Sequence, residues 1–88
     1  MGEVAVLFRL MPEGVETDMR SMGEAVRAAL PTTVRLRGLQ VKEIAYGLRS
    51  LLVSVVMPDA GGVLPQAEAA LAKVPHVASV EVMEEGLL

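Results

Sequence analysis

The run Leu48 to Met57, LRSLLVSVVM, constrains this chain more than any other stretch. Leu51, Val53, Val55 and Met57 share one parity, while Leu52 and Val56 share the other with Ser50 and Ser54. A period of two with Val and Leu on both sides predicts a buried strand whose first face is wholly apolar and whose second is partly so. A buried strand needs neighbours, and the rest of the chain supplies them. Glu3 to Met11, EVAVLFRLM, carries apolar residues on both parities and is interrupted only by Arg9, which predicts a central strand ended by Pro12. In Val34 to Val41, Val34 and Leu36 alternate with Arg35 and Arg37, as in a strand with one wet side. Gly38 then shifts the alternation onto Leu39 and Val41, which predicts a bulge. Lys42 to Tyr46 is expected to be a loop. Val77 to Met83 is the last expected strand, with Val80 and Val82 inward, and Glu84 to Leu88 is expected to be a tail.

Between the strands lie two helical patterns. Met19, Met22, Val26, Ala29 and Leu30 recur at steps of three and four, with Thr17 or Asp18 placed to cap the first free N–H groups and Pro31 to end the helix. Leu64, Ala67, Leu71 and Val74 form a second stripe, with Pro65 in its first turn and Pro75 beyond its end. Pro58, Asp59, Gly61 and Gly62 read as the turn before it. The order strand, helix, strand, strand, helix, strand predicts an α+β ferredoxin-like βαββαβ sandwich, a four-stranded antiparallel sheet with two helices on one face. At 88 residues, the expectation is one domain over residues 1–88.

Many functions occupy that architecture, so composition and residues must select among them. Hydrophobic residues at 52% with 22% charged belong to a globular chain, and no apolar run approaches the roughly 20 residues that span a bilayer. The absence of Cys and of a signal-like N-terminus leads to the expectation of a cytoplasmic protein with no membrane partner. A net charge of −3 without clustered basic residues argues against direct contact with nucleic acid. A Cys-pair metal carrier is excluded because the first loop is PEGVETD; acylphosphatase chemistry is excluded because the chain has no Asn. Base stacking on central strands is excluded because they offer only Phe8. No cofactor, metal site or catalytic residue is expected.

Isolated polar features have plain readings. His76, the sole imidazole, is expected on a surface loop, and Glu13, Glu16 and Asp18 are expected to complement the positive end of the first helix rather than to collect a cation. Three of the internal Met residues fit core positions. Tyr46 is different. It either packs back onto the sheet edge or, with Arg49 three residues on, serves as an anchor on a loop backed by a stiff strand, since aromatics and Arg dominate binding hot spots.

The segment EIAYGLRSLLVSVVMPD, with GEVAVLFRLMPEG at the start of the chain and HVASVEVME near its end, resembles the archaeal elongation factor 1-beta family and the exchange domain of its eukaryotic counterpart. The resemblance rests most on Tyr46 to Arg49, then on Met11 and Pro12, the Asp18 helix start and the Val77 to Glu81 pattern. It implies a translation elongation factor, not an enzyme, that promotes exchange of GDP for GTP on the GTPase elongation factor 1-alpha. The partner-binding residues it implies are Ile44, Tyr46, Gly47, Arg49, Leu87 and Leu88, acting near the nucleotide and magnesium site. Eukaryotic members place a Lys at the penultimate position and often another where this chain has Ser50. Here the penultimate residue is Leu87, preceded by Glu84 and Glu85, so displacement of magnesium by a tail ammonium is not available. The competing expectation is a ferredoxin-like regulatory or assembly module that self-associates or binds a small effector.

Overall fold

The computed structural model describes residues 2–88. Its elements are β1 (Glu3–Pro12), α1 (Met19–Ala29), β2 (Arg35–Ala45), β3 (Leu48–Pro58), α2 (Val63–Ala72) and β4 (Val77–Leu87). The strands form one sheet in the order β2-β3-β1-β4, every neighbouring pair antiparallel. This is the α+β ferredoxin-like arrangement that the order of strand and helix patterns predicts.

The alternation in β1 and β3 positions the core. Register pairs Leu10 with Leu51, Phe8 with Val53, Val6 with Val55 and Val4 with Met57, so both central strands turn these eight side chains to the same face. Met19, Met22 and Val26 of α1 and Ala67 and Leu71 of α2 close over them, and Phe8, Leu10, Val26, Val53, Val55, Ala67 and Leu71 are at most marginally accessible. The three core Met residues are Met19, Met22 and Met57. On the uncovered face Leu7, Met11 and Leu52 remain half-buried.

Asp18 is the N-cap of α1. Its Oδ1 accepts from the Arg20 and Ser21 backbone N–H groups at 3.0 and 3.3 Å, and its Oδ2 accepts from the Ser21 hydroxyl at 3.1 Å. Those donors, the Ser21 backbone N–H foremost, hold the Asp18 carboxyl below its ordinary value. Before α2, Gly62 has φ 88°, a conformation that a side chain opposes and glycine accepts.

Three expectations need correction. Lys42 to Ala45 is not a loop: β2 continues through Ala45, paired with β3 down to Leu48. These residues lack the apolar alternation of a half-buried strand because both their faces are exposed, and backbone pairing to β3 holds them. Glu84 to Leu87 is likewise the end of β4, with Leu87 level with Val4 and the Leu88 N–H donating to the Glu3 carbonyl at 2.9 Å. Val82 pairs with Phe8, on the helix-covered side, yet remains 38% exposed because it lies on the sheet's outer strand.

Candidate functional site

Two residues, Tyr46 and Gly47, connect β2 to β3. Their φ values are 54° and 80°, and positive φ at both central positions makes this a type I′ turn, the tight turn whose twist suits a hairpin. Gly47 fits that geometry without cost. Tyr46 does not, since a side chain in the left-handed region crowds its own backbone by about 1–2 kcal/mol and Asn or Gly is the usual occupant. Its ring recovers nothing from packing, because Tyr46 is 100% exposed. The reading in which it folds back onto the sheet edge is therefore excluded. A large aromatic at a strained, fully exposed turn is an outlier of the kind that marks a contact site.

The surroundings extend the feature. Ile44 is left unpaired as a bulge between the Glu43 and Ala45 registers, and it is 45% exposed, as is Val41. Arg49 lies across from Glu43 and is exposed. Ser50 lies inside, with its hydroxyl donating to the Lys42 carbonyl at 3.3 Å, and Lys42 occupies the cross-strand position beside it. Positive charge is thus present on both arms of this hairpin, from Lys42 on β2 and Arg49 on β3.

Of the six residues expected to bind a partner, the structure brings four together and separates two. Ile44, Tyr46, Gly47 and Arg49 form the hairpin end. Leu87 and Leu88 lie at the other end of the sheet, since Leu87 is level with Val4 and Val4 with Met57, while the turn lies beyond Leu48. At about 3.4 Å per residue the two groups are roughly 30 Å apart, within a molecule 43 Å long. Leu87 and Leu88 are 74% and 69% exposed.

A third cluster joins loops at the hairpin end. His76, at φ 70°, approaches Glu13 with Nδ1 to Oε1 at 3.3 Å, and its carbonyl accepts from the Glu13 N–H at 3.0 Å. His76 is on the surface as expected, whereas Glu13 serves this loop-to-loop contact and only Asp18 caps α1. Among the described residues no three His, Cys, Asp or Glu side chains are arranged to hold a metal ion, and no helix is long and apolar enough to cross a membrane.

Sequence comparison bears on the chain as a whole. Residues 5–87 match the family described as the EF-1 guanine nucleotide exchange domain. Elongation factor 1-beta of Methanosarcina acetivorans is 41% identical over 85 residues, covering 96% of both chains. That of Methanoculleus marisnigri is 41% identical over 88 residues, covering all of both, and that of Haloarcula marismortui is 34% identical over the same full span. A solved structure of the C-terminal domain of the MgtC protein from Mycobacterium tuberculosis superposes with a TM-score of 0.60 over 99% of this chain and 89% of that one; at 18% identity it speaks for the fold alone. With the matched span reaching from the first strand through the end of the last, the chain belongs to the EF-1 guanine nucleotide exchange domain family.

Proposed function

We propose that this chain promotes exchange of GDP for GTP on elongation factor 1-alpha, with the hairpin end as its principal contact. Membership of the exchange-domain family supports the role of a translation elongation exchange factor. The observation that carries the hairpin assignment is Tyr46, fully exposed on a backbone that disfavours it. Ile44 and Val41 extend its apolar surface, and Arg49 supplies a charge-assisted donor beside it.

Exchange needs no covalent step. A partner that binds the nucleotide-free GTPase more tightly than the GDP-bound form weakens GDP by the same factor, and abundant GTP then refills the site. The chain is therefore not a catalyst that works through acid, base or nucleophile, and it requires no cofactor. Its work would be done in the cytoplasm, without direct contact with nucleic acid or membrane.

The separation of the two ends shapes the mechanism. Surfaces roughly 30 Å apart along a stiff sheet do not both press on one nucleotide. The hairpin and the Leu87–Leu88 end would instead engage two regions of the GTPase, one beside the nucleotide and magnesium site and one remote from it. Glu84 and Glu85 give the Leu87–Leu88 end an acidic character, in contrast to Lys42 and Arg49 at the hairpin end.

The test is release of fluorescent GDP from elongation factor 1-alpha of the same organism, followed with excess GTP. The chain accelerates release, and Tyr46→Ala reduces that acceleration by roughly tenfold or more, as expected for an aromatic hot spot. No acceleration by the folded parent chain would remove the exchange reading. An active Tyr46→Ala variant would remove only the hairpin assignment.

A further inference from the structure

A groove of about 570 Å³ runs between α1 and the β2–β3 hairpin, just behind the exposed tip. Gly23, Leu39, Val41 and Leu51 contribute its apolar lining, and Arg27 and Arg49 stand on its margin. Gly23 is the informative residue. It is buried in the middle of α1, where glycine is the costliest residue after proline. Crowding does not explain it: a methyl group there would meet only Leu39 Cδ1, at 3.4 Å, an ordinary contact. The helix therefore gives up stability at a position where the sheet does not demand it, and the effect is to keep the groove deep.

The charges around the groove are unequal in availability. Glu24 lies 3.8 Å from Arg20, and Asp18 is committed to the helix N-terminus. Among the described residues, Arg27 and Arg49 have no ion-pair partner; Glu43, across from Arg49 in the register, makes none. An apolar trench with two unpaired guanidinium groups on its rim suits an apolar side chain flanked by carboxylates, because Arg binds carboxylates in a fork geometry. Val41 belongs both to the groove and to the exposed strip that leads to the hairpin tip.

We infer that this groove receives a segment of the GTPase carrying one bulky apolar side chain flanked by acidic residues, so that the hairpin end both inserts a side chain and accepts one. The inference rests on the exchange-factor reading proposed above. It assigns to Gly23, Leu39 and Arg27 a role in partner recognition that Tyr46 alone does not supply.

Titration of nucleotide-free elongation factor 1-alpha with the full chain and three variants tests it, with thermal melts of each. Gly23→Ala melts higher and, with a methyl group on the groove floor, binds more weakly than the parent. Gly23→Met, whose flexible side chain fills the groove in place of the incoming one, stays folded and binds roughly tenfold more weakly, the scale of a central contact. Arg27→Glu, on the exposed rim, also weakens binding, while an acidic group in the last turn of α1 lowers the melting temperature only slightly. A folded Gly23→Met variant with parental affinity overturns the inference while leaving the exchange reading intact. Should Gly23→Met fail to fold, parental affinity in Arg27→Glu overturns it instead. A parent chain with no affinity for the GTPase overturns both readings together.

Discussion

Tyr46 occupies a position whose backbone suits Asn or Gly, and its side chain gains no burial in return. With Tyr46 as the proposed anchor, folding and function pull in opposite directions at this residue. Tyr46→Asn relieves the left-handed strain and raises unfolding stability by about 1 kcal/mol, measured by denaturant titration, while GDP release falls to the unaided rate. A variant no more stable than the parent would mean that the turn does not store the strain inferred from its φ of 54°. The position was open to sequence reasoning because the chain has only one Tyr, set beside a glycine before a long apolar strand. Its strain was not, since nothing in the sequence of Lys42 to Ala45 announces that the strand runs up to a two-residue turn. Gly23 was less legible still. Its significance depends on Leu39, a neighbour in space and remote in sequence, and a helical pattern registers it only as a small residue on the buried side.

At the scale of elements, the capping of α1 is a case where side-chain chemistry and chain position agree. The Asp18 carboxylate accepts from two backbone N–H groups and a hydroxyl, and these bonds favour its charged form. A carboxyl whose native pKa is depressed contributes stability that is present above the unfolded value and is lost as the pH falls through the native one. Asp18→Ala therefore lowers the melting temperature at neutral pH, and the gap to the parent closes as the pH drops below 3.8 towards the depressed native value. A gap that stays constant down to pH 2 would assign the loss to something other than the charged cap. The strands were legible wherever one face is buried, as in Val53, Val55 and Met57. They were not legible at the ends of β2 and β4, where exposed residues such as Lys42, Glu43, Glu84 and Glu85 are ordered by hydrogen bonding to a neighbour. Pairing of that kind has no hydrophobic signature. The register shifts fall at Arg37 and Ile44 of β2 and at Ala78 and Met83 of β4, so both outer strands carry bulges and neither offers a long flat edge for further pairing.

For the molecule as a whole, the arrangement is a bar with the proposed contact residues at its two extremities. The sequence grouped Tyr46 with Leu87 and Leu88 through resemblance; the antiparallel path of the sheet sends them to opposite ends. Truncation after Gly86 separates their contributions. Because Leu87 and Leu88 are mostly exposed, the shortened chain stays folded and melts within a few degrees of the parent, but its half-saturating concentration in GDP release rises. Loss of the hairpin aromatic instead lowers the maximal release rate if the hairpin faces the nucleotide. A reversal of these two effects would place the chain end at the nucleotide.

Because β4 is hydrogen-bonded along β1 as far as the final residue, the carboxy-terminal leucines are fastened at a set interval from the hairpin, like the jaws of a gauge. Lengthening the hairpin by one residue pair in each arm would push its tip outward by about 7 Å with every facing side chain preserved. Such a chain would keep all its contact chemistry and fail by measurement alone.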